Sequence, residues 1–142
     1  MGYEIPVGPS VGAAYRVLVV DDNDLDRMTL RRILEAPGHR VTEAADGREG
    51  LRFISRQKFD LVLLDISMRG VDGFEFLGMV RASLSASELP IIMVAGSDRA
   101  KDLIESFTLG ANDYVTKPFD FPALLSQIEH HLAQRQAEEA PV

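Results

Sequence analysis

Phe59-Asp60-Leu61-Val62-Leu63-Leu64-Asp65 is apolar at every position from Leu61 to Leu64 and closes on a carboxylate. A half-buried strand alternates apolar and polar residues, whereas a strand covered on both faces is apolar throughout, as in a parallel sheet between two helix layers. Arg16-Val17-Leu18-Val19-Val20 repeats the pattern and runs into Asp21-Asp22. Pro90-Ile91-Ile92-Met93-Val94-Ala95 gives it a third time, with the proline first, where it interrupts no interior ladder.

Arg40 to Ala44 and Asp113 to Thr116 read as two shorter strands. Helical spacing fills the intervals. After a cap at Asp22 or Asn23, Leu30, Ile33 and Leu34 face a core while Asp26, Arg27, Arg31 and Arg32 face water, and Pro37-Gly38 stops the helix. Asp46-Gly47 opens a helix carrying Leu51 and Ile54; a loop through Gly70, Asp72 and Gly73 precedes Phe74, Leu77 and Val80. Gly96-Ser97-Asp98 turns into a helix with Leu103, Ile104 and Phe107 that ends at Gly110, with Ser97 as its cap, and the last helix bears Leu124, Leu125, Ile128 and Leu132. Five strands alternating with five helices imply right-handed crossovers and a doubly wound α/β fold on a five-stranded parallel sheet.

The 142 residues suit one domain with its own core. Residues 1–14, with Gly2, Pro6, Gly8, Pro9 and Gly12, are expected to be a flexible arm, 15–134 the domain, and 135–142 a tail or the start of a linker. A formal net charge of −7 repels a phosphate backbone and argues against nucleic acid as a direct partner. The absence of cysteine excludes disulfides, thiolate metal sites and cysteine nucleophiles. There is no apolar run of roughly 18 residues and no signal-peptide pattern, so no membrane association is expected and the cytoplasm is the default.

In a parallel sheet all strand C-termini share one edge, and loops meet where the chain order reverses. With the first and third strands adjacent, Asp21, Asp22 and Asp65 converge. Three carboxylates together repel unless a cation compensates, and the economical one is Mg²⁺, a hard ion bound by carboxylates together with phosphate oxygens. Lys117 leaves the fifth strand on the same edge, and Pro118 makes a cis bond available there to aim it. Carboxylate, Mg²⁺ and lysine are the parts needed to transfer a phosphoryl group to an aspartate, which is already an anion and needs no general base.

Asp21-Asp22, Asp60-Leu61-Val62-Leu63-Leu64-Asp65, Asp72-Gly73, Pro90-Ile91-Ile92-Met93-Val94, Gly110-Ala111-Asn112-Asp113-Tyr114 and Lys117-Pro118-Phe119 together resemble the receiver domain of two-component response regulators. The likeness runs from about Arg16 to Leu132. It implies a flavodoxin-like strand order 2-1-3-4-5 and phosphorelay signalling with Asp65 as phosphoacceptor. Mg²⁺ would be held by Asp21, Asp22, Asp65 and the Ser67 backbone carbonyl, and the phosphoryl group by Lys117. It implies Tyr114 as an aromatic switch and a sensor histidine kinase or phosphotransfer protein as donor. Downstream stands an effector or fused output domain, with a possible homodimer through the fourth helix, fifth strand and fifth helix. No turnover of an external substrate is implied.

Two positions depart from the family pattern. Ala95 stands where the family usually has Thr or Ser, whose hydroxyl donates to the phosphoryl group and couples it to the aromatic switch. Arg69 stands where Pro often follows the methionine, leaving the loop less rigid and adding a cation that could pair with a carboxylate or reach a partner. Ala95 supports a competing reading, a pseudo-receiver that binds partners with weak or no phosphorylation-dependent switching. Tyr114 then reads equally as half-buried packing. Asp21 or Asp22 alone could be a helix cap, and Lys117 alone a solvated lysine. His39 reads as a turn residue, and His130 and His131 as cations at a helix C-terminus. A phosphatase with an aspartyl-phosphate intermediate needs a general acid two residues after the nucleophile, where Ser67 stands. A nucleotide-binding site needs a glycine-rich loop where this chain has Asp21-Asp22-Asn23-Asp24.

Overall fold

The computed structural model describes residues 14–96 and 100–139, the last four of these by backbone alone. The arm expected over 1–14, apart from Ala14, and the Ser97 cap lie outside the described residues. The elements alternate as β1 (Arg16–Val20), α1 (Asp24–Glu35), β2 (Arg40–Ala44), α2 (Gly47–Arg56), β3 (Leu61–Asp65), α3 (Gly73–Arg81), β4 (Ile91–Ala95), α4 (Ala100–Thr108), β5 (Asp113–Thr116) and α5 (Phe121–Glu139). All pairings are parallel, and the strand order is β2-β1-β3-β4-β5. The doubly wound sheet expected from the apolar runs is present in the expected order.

Alternation along each strand explains why those runs are apolar throughout. Leu18, Val20, Val62, Leu64, Ile91 and Met93 point to one face and pack with Phe76, Leu77 and Val80 of α3. Val17, Val19, Leu61, Leu63, Ile92 and Val94 point to the other, against Leu30 and Leu34 of α1 and Leu124, Ile128 and Leu132 of α5. Each strand therefore supplies two cores, and a polar residue at any of these positions would enter one of them.

Local chemistry sets the helix starts. Asn23 caps α1 by accepting from Asp26 N–H, Asp46 caps α2, and Asp72 with Glu75 forms a capping box on α3. Several sequence expectations change. Arg27 is not a solvated residue: it is mostly buried and donates to Glu43, Asp24 and the Asp21 carbonyl. His39 is buried, with Nε2 2.7 Å from Glu129 Oε2 on α5. Because α5 continues to Glu139, His130 and His131 are interior to it rather than at its end, and His131 pairs with Asp113 at 2.9 Å. On α4 it is Ser106 that is buried, bonded to the Asp102 carbonyl, while Leu103, Ile104 and Phe107 are exposed. No helix among the described residues is long and apolar enough to cross a membrane.

Candidate functional site

The same alternation that divides the cores continues past the strand ends. Asp21 follows Val19 and Val17, Asp65 follows Leu63 and Leu61, and Lys117 follows Val115, so all three belong to the α1/α5 side of the sheet edge. Register brings them level: Val20 pairs with Leu64, and Asp65 with Val94. The edge stays bonded beyond the strands, through Asp21 N–H to the Ala44 carbonyl, Ile66 N–H to that of Val94 and Lys117 N–H to that of Ala95. The Lys117-Pro118 bond is cis.

Asp21 is 1% and Asp65 6% exposed, whereas Asp22 is exposed. One carboxylate oxygen from each of the three lies within 4.8 Å of the others. The Ser67 amide donates to Asp65 Oδ1 at 3.2 Å, and the Asn23 amide to Asp21 Oδ1 at 2.8 Å. Lys117 Nζ is 3.1 Å from Asp21 Oδ2 and 3.8 Å from Asp65 Oδ2. Its shortest contact was not foreseen from sequence: Asp26 Oδ2 at 2.6 Å. The signal was available, because Asp26 precedes Leu30 by four residues and Leu34 by eight and so shares their inward stripe.

Burial, and after it the charge of Asp21, pushes the Asp65 carboxyl up to about 7 against the opposing pull of Lys117 and the Ser67 amide. Burial alone would lower Lys117, but hydrogen bonding to Asp26, the charge of Asp65 and the bond to Asp21 together hold it above its ordinary value. A carboxylate whose negative form is disfavoured by its own neighbours is a site that a divalent cation relieves. The donor set is all oxygen, so it fits a hard ion of the Mg²⁺ type.

The surrounding positions have physical reasons of their own. A Cβ on Gly73 would run into the Asp65 carbonyl oxygen and stand 2.7 Å from Ile66 Cα, so α3 starts directly against the Asp65 backbone. Arg69 supplies an amide that a proline lacks, and that amide makes a long 3.4 Å contact to Asp22 Oδ2. Arg69 and Arg48 also line a cleft of about 700 Å³ that opens beside Asp22. Ala95 is 3% exposed on the opposite face of the sheet, within the cluster against which the half-buried Tyr114 packs.

The family model described as the response regulator receiver domain matches residues 17–129. Protein PilH of Pseudomonas aeruginosa is 36% identical over 118 residues, covering 83% of this chain and 98% of PilH. The transcriptional regulatory protein HprR of Escherichia coli is 31% identical over 122 residues, covering 86% of this chain but 53% of HprR. The chain thus spans nearly all of one relative and about half of the other. Among solved structures, a CheY-like response regulator receiver domain protein from Methanospirillum hungatei aligns with a TM-score of 0.82 at 31% identity, covering 89% of this chain and 99% of that one.

Proposed function

The chain belongs to the response regulator receiver domain family, and from that premise we propose that it is a phosphorylation-dependent signalling module with Asp65 as phosphoacceptor. The observation that carries this reading is the buried Asp65 carboxylate, within 4.8 Å of Asp21 and Asp22 oxygens and 3.8 Å from the Lys117 ammonium. An Asp65 oxygen attacks phosphorus in line; the O–P bond forms as the donor's P–N bond breaks, and the electron pair leaves with the imidazole of a phosphohistidine. Lys117 binds a phosphoryl oxygen as a point charge. Asp21, Asp22, Asp65 and the Ser67 carbonyl would hold Mg²⁺, which when bound offsets carboxylate charge and draws electron density from the transferred group. The Ser67 amide, already on Asp65 Oδ1, fixes the carboxylate's orientation.

The donor in this reading is a sensor kinase or phosphotransfer protein in the cytoplasm, and the chain turns over no external substrate. The receiver unit spans 15–134, with 135–142 as a tail or the start of a linker. The exposed Leu103, Ile104 and Phe107 of α4 beside β5 and α5 form the surface for an effector, a fused output domain or a second copy. Incorporation from a small phosphodonor, followed by phosphate-dependent gel mobility, tests the acceptor: wild type should label and Asp65→Asn should not, and equal labelling would overturn the proposal.

Ala95 favours a second reading, an interaction module whose surface does not respond to phosphorylation. Titration with Mg²⁺ and beryllofluoride, followed by NMR at Asp65 and Tyr114, separates the two. The signalling module shows changes at both residues; the pseudo-receiver shows none at Tyr114.

A further inference from the structure

Asp26 lies in the first turn of α1, on the stripe whose later members Leu30 and Leu34 are 1% and 0% exposed. An acid in a first turn suits the helix dipole wherever it points. The dipole does not require it to face the sheet edge, yet its Oδ2 lies 2.6 Å from Lys117 Nζ, against 3.1 Å for Asp21 and 3.8 Å for Asp65. Two of the three ammonium protons are therefore directed at Asp26 and Asp21, and none is within hydrogen-bond reach of the acceptor.

We propose that Asp26 is a positioning residue that competes with the phosphoryl group for Lys117, holding the ammonium back from Asp65. The inference rests on reading Asp65 as the acceptor. A carboxylate that engages the lysine and adds negative charge has opposite effects on the two ions the site must take. It opposes a phosphoryl group or an anionic mimic, which needs the ammonium. It assists a divalent cation, because Lys117 is kept from settling fully on Asp21 and Asp65. Side-chain exposures of 21% for Lys117 and 31% for Asp26 make this a partly screened pair, so the expected effects are several-fold rather than hundredfold.

Calorimetric titration of Asp26→Asn against wild type tests the competition. Without the mimic, Mg²⁺ should bind the variant roughly fivefold more weakly; at saturating Mg²⁺, beryllofluoride should bind roughly fivefold more tightly. Asp26→Glu, which keeps the charge, should stay closer to wild type in both. Asp26→Ser provides a second charge-removing variant with the same expected signs should Asp26→Asn fold poorly. General loosening of the site weakens both ligands together, so a fall in both affinities, or no change in either, overturns the competition. Wild type that binds no beryllofluoride would instead overturn the acceptor reading itself, and this inference with it.

Discussion

The Lys117 ammonium stands 3.8 Å from Asp65 Oδ2, near enough for charge attraction and beyond hydrogen-bond distance. Replacing it by methionine leaves buried Asp21 and Asp65 with less compensation. In chelator-treated protein Lys117→Met should lose about 1–3 kcal/mol in urea unfolding, most of it regained with Mg²⁺. Beryllofluoride binding should fall at least about tenfold, since the charge-assisted contact disappears. Unchanged mimic affinity would remove Lys117 from the phosphoryl site.

Asp65 makes the metal-free fold less stable as pH rises. Its folded pKa is raised to about 7 from 3.8, chiefly by burial and then by Asp21. Between these values the folded protein keeps a proton that the unfolded chain has released, so stability falls as pH rises through the window and the full penalty is reached above it. Asparagine never ionises. Asp65→Asn should therefore be more stable than wild type at pH 8 by on the order of 2–4 kcal/mol, with a smaller difference at pH 5. Denaturant midpoints in chelator would show this, and saturating Mg²⁺ should shrink the pH 8 difference. A difference equal at both pH values would mean that Asp65 is not destabilised as an anion.

The readability of the sequence follows from the range over which each feature acts. Apolar runs, caps and strand-end carboxylates are local, so β1, β3, β4, Asp21, Asp65 and Lys117 could be placed from their own neighbours. His39 pairs with a residue 90 positions away, and a lone histidine after a glycine carries no mark of that. Asp26 is hard to place for a different reason: its charge marks it as solvent-facing, while its position four residues before Leu30 puts it on the inward stripe. On α4 Leu103, Ile104 and Phe107 are exposed while Ser106 is buried, because apolar content alone does not say which face a neighbour covers.

Gly73 is where α3 meets the backbone of Asp65 and Ile66. Its amide donates to the Ile66 carbonyl at 2.9 Å, and a methyl group would have to displace main chain at Asp65 and Ile66 rather than a flexible side chain. Gly73→Ala should cost about 2–4 kcal/mol in unfolding free energy and weaken Mg²⁺ binding through displacement of Asp65. Gly78, whose added Cβ meets nothing within 4 Å, is the control: Gly78→Ala should leave Mg²⁺ binding unchanged and raise stability by up to about 1 kcal/mol.

Under the proposed phosphoacceptor reading, Ala95 decides how far phosphorylation is felt. It is buried at the end of β4, in register with Thr116, on the face where Tyr114 packs. A hydroxyl donating to an anion contributes about 1.5–3 kcal/mol, which shifts a two-state equilibrium roughly ten- to hundredfold. A full switch from mostly off to mostly on takes about 5.5 kcal/mol, so this one donor is a large share of the drive and its loss leaves a partial response. Ala95→Thr should restore the donor, and Ala95→Val should add nearly the same bulk without it. Both should lose about 1 kcal/mol of stability from overpacking. With Mg²⁺ and beryllofluoride, the Tyr114 ring resonances should move further in Ala95→Thr than in wild type, and Ala95→Val should not exceed wild type. If the threonine and valine variants respond alike, Tyr114 senses bulk rather than the hydroxyl, and the weak link lies elsewhere between Asp65 and the α4/β5/α5 surface.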